Sequence, residues 1–100
     1  MKLTIKTKGG GADIKVELST AAGKMLTVHE DETRSVNLVA GVEYNLRWMA
    51  VATGDAAEID ITATISPANT GFPDWKLNAH DRQLEAGEVK GPGVFHFTLK

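Results

Sequence analysis

Residues 58–65 read Glu-Ile-Asp-Ile-Thr-Ala-Thr-Ile, and this stretch decides the fold class. Apolar side chains occupy every second position, and polar side chains occupy the positions between them. Alternation with a period of two places the apolar side chains on one face of a pleated strand, whereas an amphipathic helix needs a period of 3.6. The segment is therefore predicted to be a β-strand with one buried face and one solvated face.

The same alternation recurs along the chain between turns that contain glycine. The further segments are residues 2–8, 13–19, 25–28, 36–38, 42–52 and 94–99. With a short strand near Trp75 and Leu77, they make about eight short strands, spaced as in a β-sandwich and not as in a βαβ repeat. We predict an all-β fold, a two-sheet antiparallel β-sandwich of immunoglobulin-like or jelly-roll-like type, in a single domain spanning 1–100. Only 81–87 has room for a turn of helix.

Several local features follow from the same patterns. The glycines at 9–11 predict the turn of a hairpin between the first two strands, and residues 21–23 predict a second turn. Both faces become apolar over 49–52, which predicts a central strand covered on two sides. The acidic residues 30–32 predict a solvated turn. Lysines at positions 2, 6 and 8 are typical of a protected edge strand.

Composition and net charge limit the kinds of molecule that the protein is expected to bind. The chain has 100 residues, is 42% hydrophobic and 24% charged, and carries a formal net charge of -2. This is an ordinary globular composition, and its charge gives no electrostatic footprint for nucleic acid or for an anionic membrane. We therefore expect no nucleic-acid partner and no membrane association.

Cysteine usage and the N-terminus bear on the compartment. The chain has no cysteine, which excludes disulfides and thiolate chemistry but leaves the compartment open. Residues 1–8 alternate charged and apolar side chains and never form the apolar run of a signal peptide. The chain is expected to be cytoplasmic unless it is a trimmed form of a secreted protein.

Motifs for catalysis and metal binding are weak. The chain has no G-x-S-x-G serine, and its His29-Glu30 pair lacks the second histidine of a zinc-protease helix. We predict no enzyme activity, no cofactor and no metal. Two alternatives stay open. One is a calcium site built from the carboxylates of Asp55, Glu58, Asp60, Asp74 and Asp81. The other is an enzyme in which His80, Asp81 and Asp74 converge on a pocket.

The irregular region 66–92 holds the candidate binding site. Phe72 and Trp75 are its apolar anchors, and its polar candidates are Asn69, Asp74, Asn78, His80 and Arg82. An exposed tryptophan beside amide, carboxylate and guanidinium groups suits a sugar ring, because the ring stacks while its hydroxyls form hydrogen bonds. We therefore expect a non-catalytic binding or accessory module for a carbohydrate or protein ligand.

Two other interpretations remain. Trp75 could instead fold back and plug one end of the sandwich. The protein could also be a structural, self-assembling subunit that pairs strand edges with copies of itself, so its oligomeric state is left open.

The C-terminal two-thirds of the chain resembles bacterial pre-peptidase C-terminal domains. The likeness rests on residues 36–44, the turn Gly54-Asp55, the pair Ala86-Gly87 and the final segment 93–99. Members of that family are small β-sandwich accessory domains attached to secreted hydrolases. The resemblance implies a bacterial accessory domain.

Two short segments are similar to loops of chagasin-type inhibitors of papain-like cysteine proteases. They are Asn69-Thr70-Gly71-Phe72 and Gly91-Pro92-Gly93. Such inhibitors present their loops at one end of an immunoglobulin-like fold. The resemblance implies a protease-inhibitor-like protein. The first loop here lacks a proline and a threonine of the family pattern, and the second ends in Val94 where the family has glycine.

Overall fold

The computed structural model describes all 100 residues and contains nine β-strands and no helix. The strands are β1 (Lys2–Gly10), β2 (Ala12–Thr20), β3 (Gly23–His29), β4 (Thr33–Asn37), β5 (Glu43–Ala52), β6 (Ala57–Ser66), β7 (Trp75–Lys76), β8 (Gln83–Leu84) and β9 (Val89–Thr98). No helix of the chain is long and apolar enough to cross a membrane. The segment 81–87, where a turn of helix was possible, instead contains the short strand β8.

The strands form two antiparallel sheets, which confirms the predicted two-sheet β-sandwich. The first sheet has the order β4-β1-β6-β7, and β8 also pairs with β6. The second sheet has the order β3-β2-β5-β9. The segment 58–65, from which the fold was predicted, lies in β6 and alternates between buried and more exposed positions as expected.

The core lies between the two sheets and is one cluster of 23 buried apolar residues. β6 contributes Ile59 and Ile61, and the facing sheet contributes Val16, Leu18 and Leu46, all fully or almost fully buried. Each such side chain contributes roughly 1.5–3 kcal/mol to stability through burial. The alternation seen in the sequence is therefore the main source of the stability of the fold.

The predicted hairpin at 9–11 is wrong. β1 pairs with β4 and β6, whereas β2 pairs with β3 and β5, so the glycines carry the chain from one sheet to the other. Gly11 adopts a φ of 81°, which favours glycine. A Cβ on Gly9 would lie 2.8 Å from Ile14 Cδ1, so a larger residue there would require the Ile14 side chain to shift. The turn predicted at 21–23 is confirmed as the β2–β3 hairpin, with a register shift between Leu18 and Ser19.

The strand predicted to be central is central, but only one of its faces is covered. β5 lies between β2 and β9. Its inner residue Ala50 is buried, while Met49 on the outer face is 36% exposed. The sandwich has only two layers, so nothing in the chain covers the outer face of a sheet.

The lysines expected to protect an edge do not lie on one. β1, which carries Lys2, Lys6 and Lys8, is paired on both sides, with β4 and with β6. The sheet edges are formed by β4 and by the short strands β7 and β8 in the first sheet, and by β3 and β9 in the second. The lysines therefore occupy the solvated outer face of a central strand.

The region 66–92 is more regular than predicted. The short strand expected near Trp75 is present as β7, and β8 pairs with the start of β6. Gly91-Pro92-Gly93 does not close a loop, because it lies inside β9, where the register with β5 shifts between Trp48 and Ala50. The two short strands place residues 75–84 along the open side of the sandwich.

Candidate binding groove

A groove lined by aromatic side chains lies on the open side of the sandwich, between β7 of the first sheet and β9 of the second. Its volume is about 350 Å³. The side chains that define it are Trp48, Trp75, Lys76, Asn78, Asp81 and Phe95. We call it the aromatic groove. Its lining combines apolar and polar side chains, and its exposed surface is slightly more polar than apolar in area.

Trp75 lies at the mouth of the aromatic groove and is half-buried. It pairs with Ala63 of β6, which points its side chain toward the inner face of the sheet. Its ring centroid lies 5.3 Å from that of Phe95, with an angle of 43° between the rings. The indole therefore packs against the core at the side of the sandwich and keeps some exposed surface.

Trp75 is the outer end of a row of aromatic rings that continues into the core. Phe95 stacks on Phe72 at 6.1 Å, Phe72 contacts Phe97 at 4.6 Å, and Phe97 stacks on Tyr44 at 5.5 Å. Aromatic pairs at these separations are worth about 0.5–1.5 kcal/mol beyond the area they bury. The row therefore holds the Trp75 side chain in a fixed position.

The floor of the groove depends on Gly93. A Cβ at this position would lie 2.2 Å from Trp48 Nε1, so the indole of Trp48 occupies the space that any other side chain would need. Gly93 is the partner of Trp48 in the β5–β9 register. The bulge in β9 therefore positions this glycine against the tryptophan and shapes the base of the groove.

The polar rim is held by hydrogen bonds within one turn. Asn78 Nδ2 donates to Asp81 Oδ2 at 2.9 Å, and the Asp81 backbone N–H donates to Asn78 Oδ1 at 2.9 Å. This arrangement fixes both side chains before any ligand arrives. Lys76 is exposed beside them and has no ion-pair partner within 4 Å.

The structure brings two of the seven predicted site residues into the aromatic groove, Trp75 and Asn78. Phe72 is 2% exposed and belongs to the core, so its assignment as a ligand anchor is wrong. An aromatic residue next to Pro73 in a turn-rich segment looked exposed in the sequence. The structure buries it because Phe95 and Phe97 offer it an aromatic pocket.

Asn69 and Asp74 support the backbone and do not face the groove. Asn69 Oδ1 accepts from the N–H groups of Gly71 and Lys100, at 2.8 and 3.0 Å, and its Nδ2 donates to the Lys100 carbonyl at 2.8 Å. Asp74 Oδ1 accepts from the Ile65 N–H at 3.2 Å. The amide of Asn69 is fully engaged in holding the chain, whereas Asp74 uses only Oδ1 for this and stays exposed outside the groove.

His80 and Arg82 lie outside the groove. His80 is exposed, and its carbonyl accepts a hydrogen bond from Lys90 Nζ at 2.7 Å. Arg82 lines a depression of about 470 Å³ on the outer face of the first sheet, together with Lys8, Glu58 and Asp60. Only one of the six residues lining that depression is apolar, although its exposed lining is somewhat more apolar than polar in area, and it contains no aromatic ring for a sugar to stack on.

The residues considered for catalysis do not share the aromatic groove, and those considered for calcium are not gathered around one point. Asp81 lines the aromatic groove, but neither His80 nor Asp74 does. No group of three or more His, Cys, Asp or Glu side chains is placed to hold a metal ion. The calcium interpretation therefore has no gathered set of carboxylates behind it.

The two segments that resemble inhibitor loops lie apart. Gly71 packs against the carbonyl of Thr98 near the end of β9, whereas Pro92 is six residues earlier in the same strand. At a rise of about 3.3 Å per residue, roughly 20 Å separates them.

Sequence reasoning missed Lys76, Asp81 and Gly93 as members of the site. Asp81 was predicted only as a calcium ligand or as part of a catalytic group with His80 and Asp74, and Gly93 only as part of a loop. The role of Gly93 depends on which residue lies opposite it in β5, and a single sequence gives no register for that pair.

A scan of family models, a search of curated proteins and a search of solved structures each return no match to this chain.

Proposed function

We propose that the protein is a non-catalytic binding or accessory module, and that the aromatic groove binds a carbohydrate. The observation that carries the proposal is the position of Trp75, which is half-buried beside the fixed Asn78–Asp81 pair. A volume of about 350 Å³ lies at the lower end of the range for ligand pockets. It suits one saccharide unit of a chain that continues into solvent.

The stacking surface supports this proposal because it is rigid. Trp75 is backed by Phe95, and the row of rings behind it leaves the indole little freedom to lose on binding. Ordering a flexible side chain costs about 0.5–1.5 kcal/mol, so a fixed indole favours binding. The apolar face of a sugar ring stacks on such a surface.

The rim supplies hydrogen-bonding groups of both kinds. Asp81 Oδ1 and the second N–H of Asn78 Nδ2 are not used in their mutual pair, and Lys76 adds a donor. Sugar hydroxyls both donate and accept, so a mixed rim suits them. The mutual hydrogen bonds of Asn78 and Asp81 hold these rim groups in position.

The experiment is a glycan-array screen of the purified protein, followed by titration of the hits. We expect Trp75→Ala to weaken binding by about thirtyfold, as for a residue worth ~2 kcal/mol. Met25→Ala is the matched control, because Met25 is exposed on β3 at the opposite side of the sandwich. Lys76→Gln changes only the rim and leaves the core intact, so it tests the site if Trp75→Ala folds poorly.

A polypeptide ligand is the alternative outcome of this test. If the array gives no hit while an extended peptide binds and Trp75→Ala abolishes that binding, the groove is a protein-binding site. The finer descriptions, an immunoglobulin-like topology and a bacterial accessory domain attached to a hydrolase, stay predictions from the sequence resemblance. If neither ligand class binds, the module is not a groove-binding protein.

A further inference from the structure

Three of the four sheet edges are protected. Arg34 on β4 donates from Nη1 to the Thr27 carbonyl of β3 at 3.1 Å, so the two edges on that side are joined across the sandwich. β3 also carries Lys24 and an irregular register. The edge formed by β7 and β8 consists of two strands of two residues each. Charges, irregular pairing and short strands are the usual means of preventing edge pairing.

The fourth edge, β9, has no such protection over residues 94–98. This segment reads Val-Phe-His-Phe-Thr and contains no Lys, Arg, Asp, Glu or Pro. It keeps one regular register with β5 along its whole length. Alternating β-branched and aromatic residues favour strand pairing. The three lysines of β1, which would protect an edge, lie on a strand that is already paired on both sides.

The direction of the backbone groups in β9 follows from two contacts. The Leu99 carbonyl accepts from the Gly41 N–H on the β5 side, and the Thr98 carbonyl faces Gly71 on the other side. The backbone N–H and C=O groups of successive residues point to opposite sides of a strand. Those of Val94 and His96 therefore point away from β5, on the same side as those of Thr98. The segment Asn69–Gly71 covers the edge only near Thr98 and Lys100. The outward N–H and C=O groups of Val94 and His96 have no partner within the chain.

We infer that a second copy of this chain pairs with the free edge of β9 through the same edge of its own β9. An antiparallel pair centred on Phe95 places Val94 opposite His96 of the second copy, and His96 opposite Val94. Each pair exchanges two hydrogen bonds, so all four outward groups of each chain are satisfied. A two-fold arrangement of this kind is closed and self-complementary, so it yields a dimer and not a fibre.

The side chains of the segment are compatible with this pairing. Val94 is 53% exposed and gains an apolar contact with the imidazole of the second copy. At the two-fold axis, Phe95 lies opposite Phe95 of the second copy, with its side chain on the inner face of the sheet. Aromatic pairs between neighbouring strands are favourable. The segment carries no fixed charge, so the two copies do not repel each other. Val94 and Phe95 also line the aromatic groove, so the second copy would lie against that groove, and the pairing is therefore tested on the ligand-free protein.

The experiment is sedimentation equilibrium of the ligand-free protein from about 1 µM to about 1 mM, the range in which a small interface is expected to act. We expect a monomer at the low end and a dimer at the high end. Val94→Lys with His96→Lys places like charges opposite each other and should weaken the dimer by about tenfold or more. Val94→Lys with His96→Glu places opposite charges there and should restore it. Val39→Lys, at an equally exposed valine outside the strands, is the control.

Amide hydrogen exchange tests the same β9–β9 pairing without a substitution. The N–H groups of Val94 and His96 should exchange freely at low concentration and become protected at high concentration. A monomer over the whole range overturns the inference. So does a dimer that forms equally well with both lysines in place, or one in which these two amides stay unprotected.

Discussion

Asp31 Oδ1 accepts a hydrogen bond from the Gly9 backbone N–H at 3.1 Å, which ties the acidic turn between β3 and β4 to the end of β1. The turn is therefore more than a solvated connection. Glu30 Oε1 accepts from the Ile14 N–H at 3.2 Å. The hydroxyl of Thr7, a buried polar group, contacts both the His29 carbonyl and the Glu32 backbone. These bonds satisfy the backbone where the chain crosses between sheets.

Asp31→Ala should lower the free energy of unfolding by about 2–3 kcal/mol. The substitution removes the acceptor for the Gly9 N–H, worth about 1 kcal/mol, and leaves alanine at a φ of 55°, which costs roughly another 1–2. Asp31→Asn keeps an acceptor and tolerates that φ, so it should stay within about 0.5 kcal/mol of the wild type. Urea unfolding of both variants measures the difference, and equal stability of the two would contradict the role of the side-chain oxygen as an acceptor.

Gly93→Ala should lower stability by about 1–3 kcal/mol, because its Cβ meets the indole of Trp48 and the base of the groove must shift. Gly10→Ala is the control. Gly10 has open space around its Cβ position and no positive φ, so its substitution should be nearly neutral. Thermal unfolding with tryptophan fluorescence compares the two. If both variants behave like the wild type, Trp48 does not pack on Gly93.

Phe72→Ala should cost about 3–5 kcal/mol of unfolding free energy, as for a buried aromatic residue. Phe72→Leu retains most of the apolar volume and should cost less. The measurement is denaturant unfolding, with ligand binding measured on the folded fraction. Unchanged stability together with lost binding would mean that Phe72 is a ligand contact and not a core residue.

Glu17 should make stability depend on pH in acid. Its hydrogen bond with Lys15, at 2.8 Å, is the main reason that its pKa lies below the ordinary value of 4.5, and Lys24 at 3.5 Å adds to the effect. A lowered pKa in the folded state stabilises the fold fully above 4.5. This contribution is lost as the pH falls through the lower folded value.

Glu17→Gln should therefore reduce stability by up to ~1 kcal/mol near neutral pH, and the difference from the wild type should disappear in strong acid. Glu43→Gln is a suitable control, because Glu43 is exposed and forms no ion pair. Urea unfolding at a series of pH values gives the comparison. A difference that persists unchanged below the folded pKa would show that the ion pairs are not its cause.

The strands could be predicted from the sequence, but their partners could not. Alternation in β6 states which side chains are buried, and the structure agrees. Alternation does not predict which strands are neighbours. The sequence therefore predicts a hairpin at Gly9–Gly11, where the chain in fact passes from one sheet to the other. The same limit explains the lysines of β1, which face solvent equally well on a central strand or on an edge.

The candidate site was only partly predictable for a related reason. Trp75 and Asn78 were accessible to sequence reasoning because polar and aromatic residues cluster around them. Phe72 was misassigned because its neighbours in sequence are turn residues, while its neighbours in space are aromatic rings. Gly93 matters through a cross-strand contact that no local pattern encodes.

The central claim is that the aromatic groove is the ligand site, and an NMR titration of ¹⁵N-labelled protein with saccharides from the array tests it most directly. The chain has two tryptophans, so two indole N–H signals report separately on Trp48 and Trp75. We predict that ligand shifts the Trp75 indole signal together with the amides of Lys76, Asn78 and Asp81. Shifts confined to another surface, such as the depression beside Arg82 and Glu58, would contradict the account.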